Sequence, residues 1–489
     1  MEINEKNVSS AVDDVQNFNY NTKHPTSTTV CFGFGAMADQ MSHQAFQFLV
    51  FSYYYAVVGL RVDVLAGAFI LFAIWDSIND PLLGPLSDRT KSRFGRRGFW
   101  ILVITVPFGL INIFLFTPPM FWSNSIDSPL WNTVYMIVII MLYDLFYTVF
   151  SSNQLALFPE MFKTDKARAR ANKFKNIMTI VGLLLGFVFP TVLIANLVPT
   201  ETVSAQEVNS MYVTTGIVIC ILVVIFGFLF FKFGMKEDPT HITKPDEMLG
   251  IFESLKITLK NKTFLIFVSA NLFVWFIFKM LTTIISLYGI HVLGITDGNI
   301  LLTVMLLAAF LTAAAMFPFM EWLGNKFGMR KAFMMTTSFW ILALVPFFFL
   351  DNLPILAIVC MMFVGVGLSG TMFFVDIIIG RVIDEDELKT GRRRQGAYYG
   401  VNALINRYST ILVFLAVAGV LSGYGWGEYI VGASLEEASG IASGLKLLMS
   451  PISIVGLLMV LFFLWKFPLH GKRWEEVQRQ LKEKRAQNQ

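Results

Sequence analysis

Charge is what this sequence has least of. Only 15% of its 489 residues are charged, 55% are hydrophobic, and mean hydropathy is +0.62. A soluble chain of this length divides into several domains that carry far more charge, so that class is excluded. Cysteine is scarce too. Cys31, Cys220 and Cys360 each sit inside an apolar block, far apart in sequence. They cannot build a disulfide framework or a metal-ligand spacing, and read as small buried hydrophobes. The first ~27 residues lack a basic start followed by an apolar core, so no signal peptide is expected and the first apolar segment stays in the mature chain. Nucleophile elbows, metal clusters and phosphate loops are missing as well, which argues against an enzyme. The glycine run SGYGWG at 422–427 reads as loop or helix-end chemistry. Neither a resident cofactor nor a nucleic-acid partner is expected.

What the chain does have is long apolar blocks. A spanning helix takes ~20 predominantly apolar residues, and twelve such blocks are present. The first six lie near 29–58, 64–86, 98–117, 131–157, 174–198 and 209–232. The second six lie near 263–291, 298–323, 331–350, 354–380, 397–423 and 441–467. Of the 38 Lys and Arg residues, 34 fall at the termini and in alternate loops, while only Arg61 falls on the opposite side. The positive-inside rule then places both termini in the cytoplasm of a multi-pass cell-membrane protein. The expected architecture is all-α. A cytoplasmic segment (1–28) leads into a six-helix bundle (29–232), a cytoplasmic linker (233–262), a second bundle (263–467) and a cytoplasmic tail (468–489).

Residues 246–260 can form an amphipathic surface helix, and Trp474, Val477 and Leu481 give the tail a similar apolar stripe. The halves echo each other. GPLSDRTKSRFGRRGFW (84–100) and EWLGNKFGMRKAF (321–333) place a glycine-bearing basic turn at the same point of each half. Such duplication predicts a carrier with its site between the halves at the bilayer midplane.

Ionisable residues inside spans are the strongest site signal, because each costs ~2.5–3.5 kcal/mol at a helix centre unless it faces a cavity, a partner or an ion. Span 2 reads IWDSINDPLLG, in which Asp76 and Asp80 are four apart and share a face bordered by Asn79. Two carboxylates this close call for a cation or a proton between them, and Pro81 is placed to kink the helix. Span 1 offers Asp39, Gln40, His43, Gln44 and Gln47. Span 4 offers Asp144, Thr148 and Ser151 on one stripe. Span 11 contributes Asn402, Asn406 and Arg407, and Arg407 lies deep enough to require a carboxylate from span 1, 2 or 4. Lys279 and Asp376 are further candidates, with a structural pair as one reading, and Lys446 is expected to snorkel outward.

The segment WDSINDPLLGPLSDRTKSRFGRR (75–97) resembles the signature of the glycoside–pentoside–hexuronide:cation symporter family, a branch of the major facilitator superfamily. VIDEDELKTGRRRQG (382–396) resembles a second family block, and ALFPEMFKTD (156–165) a third. The resemblance implies a major facilitator fold and alternating-access symport of a small organic solute with Na+ or H+. A sugar or glycoside is expected first, and an amphiphile such as a lysolipid second. A non-transporting membrane sensor or scaffold on the same fold is the third reading. By position, the resemblance puts the cation site at Asp76, Asn79, Asp80 and Thr148, with Ser151 beside it, and Asp76 and Asp80 hold Na+ if sodium is the coupling ion. Gln40, Lys175 and Arg407 fall at substrate-binding positions, and Asp39, Asp144 and Met372 join them. Asp88, Arg89, Arg93, Arg96 and Arg97 form a gating turn.

Departures from the family pattern are visible, among them Gly380-Arg381 in place of the usual Ala-Asp before the second block. Ser151 stands where a relative has an aspartate, and Leu155 and Met372 replace tryptophans that border a sugar. Asp144, on the same stripe as Ser151, is placed to supply the lost charge. The expected partners are a small-molecule substrate and membrane lipid, with the carrier a monomer.

Overall fold

The computed structural model describes residues 26–88, 90, 92–122, 128–162, 165–236, 256, 258–295, 300–390, 394–431, 433 and 435–487. The side chains of Asp80 and Asp88, all of Arg89, and most of the 246–260 surface helix lie outside the described residues.

The first half comprises α1 (Thr26–Ser52, continued by a π turn Tyr53–Val57), α2 (Val62–Asp88), α3 (Arg96–Phe114), α4 (Pro129–Met161), α5 (Asp165–Leu193) and α6 (Ala205–Leu229). The second half comprises α7 (Lys262–His291), α8 (Ile300–Ala315), α9 (Phe317–Phe327), α10 (Met329–Leu344), α11 (Pro354–Thr390), α12 (Gln395–Gly423), α13 (Leu435–Leu447) and α14 (Ser453–Lys466). A last helix, α15 (Gly471–Gln487), follows. Among the described residues ten helical stretches are long and apolar enough to cross a membrane, and the α8–α9 pair, bent by 45°, supplies an eleventh. The twelfth is α1. Its polar residues (Asp39, Gln40, His43, Gln44) lower its hydropathy, yet it packs closely against α5.

Local chemistry sets the helix ends. A capping box, in which the Ser204 hydroxyl accepts from the Glu207 amide and the Glu207 carboxylate accepts from the Ser204 amide, starts α6 four residues before the expected 209. Asn261 caps α7 by accepting from the Thr263 and Phe264 amides. Pro318 in the first turn of α9 cannot donate to the preceding turn, so the expected span 298–323 is broken at Met316. Span 10 runs ten residues beyond the expected 380, because Val382, Ile383, Glu385 and Asp386 of α11 are buried. Val477 and Leu481 of α15 are buried as well, so the tail helix packs on the second half.

The α1–α5 contact depends on a GxxxG step, Gly182 and Gly186. A Cβ on Gly186 would lie 2.6 Å from the Met41 carbonyl, so only glycine allows this approach of two backbones. The echoed basic turns are also alike in backbone. Gly95 (φ 85°, ψ 167°) and Gly328 (φ 83°, ψ 143°) each open the next helix from a conformation open to little but glycine.

The halves meet at the face opposite the basic loops. The Phe69 and Phe414 rings stack at 3.8 Å, Phe187 and Phe310 at 5.0 Å, and the Thr303 hydroxyl donates to Thr191 at 2.6 Å. The loop after α12 adds two bonds. Tyr55 donates to the Trp426 carbonyl at 2.7 Å, and the Val62 amide donates to the Gly427 carbonyl at 2.8 Å. The larger apolar core runs through the first half and across this contact into the second, while the second half near the basic loops has a separate cluster.

Candidate functional site

Two polar groups lie at mid-depth. The first joins α2, α4 and α12. An Arg407 Nη1–Asp76 Oδ1 ion pair at 2.9 Å crosses between the halves, with side-chain exposures of 17% and 18%. Arg407 also donates to the main-chain carbonyl of Asp76. Asn79 donates to Asp144 Oδ2 at 3.2 Å, and Asp144 itself lies within hydrogen-bonding reach of Asp76. Thr148 is buried one turn along α4 from Asp144. This arrangement supplies the partner that the depth of Arg407 demanded, and it brings Asp144 into the carboxylate group of α2. It offers oxygen ligands from two carboxylates and an amide, as hard cations prefer.

The second group is built on α1. Gln40 donates to Asp39 Oδ2 at 3.1 Å and Gln44 donates to Gln40 at 3.3 Å. Ser151 lies within hydrogen-bonding reach of Asp39, and Lys175 is in electrostatic reach of the same carboxylate. Ser151 therefore sits with Asp39 rather than with Asp76. Lys175 also lies over the Phe158 ring, 5.4 Å from its centroid. Buried Asp39 Oδ1 and Gln44 Oε1 have no hydrogen-bond partner among the described residues.

His43 stacks on Tyr147 at 4.7 Å. Lys279 donates to the Thr410 hydroxyl at 2.7 Å, and among the described residues no ion pair joins it to Asp376. Lys446 does not simply snorkel. It pairs with Asp351 in the turn before α11, where an acid and a base at neighbouring helix ends satisfy each other. Met372 is 40% exposed and touches neither polar group through a bond; Asp376, one turn on, is also exposed. In the basic turn, Arg93 lies 4.8 Å over the Phe94 ring and Arg97 is buried.

Sequence reading missed Asn271. It is 1% exposed and donates to Asn402 at 2.9 Å and to Asn406 at 3.0 Å, fixing both asparagines on the wall of α12. The available signal was a lone amide within the apolar run SANLFVWF of span 7.

Comparison with known proteins follows this geometry. The pattern of one family, MFS/sugar transport protein, matches residues 31–471. A symporter of Synechocystis sp. is 23% identical, with 85% of this chain and 86% of that protein covered. The sodium-dependent lysophosphatidylcholine symporter 1-B of Danio rerio is 22% identical over 97% of this chain and 93% of its own length. A crystal structure of a nucleoside transporter, NupG, is 14% identical and superposes with a TM-score of 0.64 over 90% of this chain and 99% of its own, a likeness of fold alone. With the twelve helices, the duplicated basic turns and the family pattern over most of its length, the chain belongs to the MFS/sugar transport family of the major facilitator superfamily.

Proposed function

We infer that this cation-coupled symporter uses Asp76 as its coupling carboxylate, with Asn79, Asp144 and Thr148 around it and Asp80 on the same helix face. The observation that carries the reading is the Arg407–Asp76 ion pair between the halves. A sodium ion or proton arriving at Asp76 competes with Arg407, and releasing that bridge permits the halves, 29–232 and 263–467, to rock about the site. The basic loops are taken as cytoplasmic. The packed Phe69–Phe414 and Tyr55–Trp426 contacts then make this an inward-facing state. Arg93, Arg96 and Arg97 are assigned to the cytoplasmic latch.

The substrate is read as a sugar or glycoside. The amides of Gln40, Gln44, Asn402 and Asn406, with Asp39, Ser151 and Lys175, offer the donors and acceptors that hydroxyl-rich solutes need. A second reading, an amphiphile, is favoured by the likeness to the sodium-dependent lysophosphatidylcholine symporter 1-B of Danio rerio, which extends over 97% of this chain. Uptake of a panel of glycosides and lysolipids into proteoliposomes, with sodium and pH gradients varied separately, tests the reading. Accumulation that follows neither gradient would sink it.

A further inference from the structure

Lys279 is a core cation for which the mechanism above has no use. It lies near the middle of α7, and its ammonium has three donors. One goes to the Thr410 hydroxyl at 2.7 Å. No carboxylate lies within ion-pair distance among the described residues, and the nearest acid in electrostatic reach, Asp76, is already engaged by Arg407. A half-buried ammonium without an ion-pair partner is only partly compensated, so its place beside Asp76 calls for a charge from elsewhere. His43 faces the same region from α1. Its ring is held flat against Tyr147, its Nδ1 is buried without a partner, and it is in electrostatic reach of both Lys279 and Arg407. Nitrogen groups from α1, α7 and α12 thus converge beside Asp76 and Asp144, and among the described residues neither carboxylate is within ion-pair distance of Lys279.

We propose that Lys279, with Thr410 and His43, forms an anion subsite that receives a carboxylate or phosphate oxygen of the transported substrate. The substrate is therefore an acidic sugar or a phosphate-bearing amphiphile, and a neutral glycoside is a poor cargo. This rests on the cation-coupled reading of Asp76 and extends it. A cation bound at Asp76 adds positive charge beside Lys279, so cation and anion strengthen each other's binding, and the effect is reciprocal.

The test uses the purified full-length carrier in lipid nanodiscs and follows thermal unfolding. Sodium and pH titrations without organic ligand come first. They report on Asp76 independently of the substrate, and they show that each variant is folded. Two matched pairs of probes follow: methyl glucuronide against methyl glucoside, and lysophosphatidic acid against monoacylglycerol. The expected result is that the anionic member of one pair binds about 10- to 100-fold more tightly than its neutral partner, as for a hydrogen-bonded charge. The pair that responds tells a sugar acid from a lipid phosphate. Lys279→Gln should abolish this preference and Lys279→Arg should keep it, and sodium or protons should sharpen it. Equal binding within both pairs, no binding of either anionic probe, or a preference that survives Lys279→Gln overturns the subsite. A carrier that ignores both sodium and pH overturns the coupling reading instead.

Discussion

Replacing Arg407 with glutamine should make the carrier bind its coupling cation more tightly while it loses concentrative transport. In the ion pair Nη1 lies 2.9 Å from Asp76 Oδ1, and both side chains are mostly buried. Two unit charges near contact interact by roughly 4 kcal/mol at the effective dielectric of partly buried sites. Desolvation offsets part of this, leaving about 2–3 kcal/mol of coupling for a double-mutant cycle of Arg407→Gln with Asp76→Asn. A cation that competes with Arg407 no longer meets that opposition in the variant, so the sodium or proton midpoint should improve by about 10- to 100-fold. The assay is thermal unfolding of purified protein against sodium, with choline balancing ionic strength, and against pH in choline alone. An unchanged midpoint in Arg407→Gln would show that cation and arginine do not share Asp76, and the exchange mechanism would fail.

Two other outcomes follow from geometry. Gly328→Ala should lose about 1–3 kcal/mol of stability through its backbone conformation alone, since a Cβ there meets nothing within 4 Å; an unchanged unfolding midpoint would contradict the strain. Tyr55→Phe removes the bond to the Trp426 carbonyl that closes the face opposite the basic loops. Opening at that face should become about 2- to 10-fold more frequent, read as faster labelling of Ala66→Cys, buried on the Phe69 stripe of α2, by an impermeant thiol reagent in a background without Cys31, Cys220 and Cys360. Unchanged labelling would remove the loop after α12 from the gate.

Much of this molecule is legible because the bilayer imposes its own grammar. Apolar length and loop charge depend on few residues at a time, so the twelve spans and their alternation could be read directly. The demand of a deep arginine for a carboxylate is equally local, and Arg407 did find Asp76. Choosing among partners is harder, because it depends on how helices are rotated and staggered. Asp144 and Ser151 lie on one stripe of α4 but reach different groups, Asp76 and Asp39, seven residues apart along the helix. The bend at Met316 was signalled by Pro318, yet its 45° follows from packing. The extra turns of α11 carry acids in sequence, and are covered by residues from other elements, among them Arg473 of the tail helix, paired with Glu385 at 3.1 Å, and Arg394, paired with Asp386 at 2.9 Å. Asn271 gave almost no signal, since a single amide in an apolar helix gains meaning only from the two asparagines opposite.

The most direct measurement is substrate flux in proteoliposomes that hold either wild-type protein or Asp76→Asn, compared under an imposed cation gradient and under simple exchange. The account predicts that wild type concentrates substrate under a sodium or a proton gradient, and that Asp76→Asn loses this accumulation while still exchanging labelled for unlabelled substrate at equilibrium. Concentrative uptake by Asp76→Asn equal to that of wild type would contradict it.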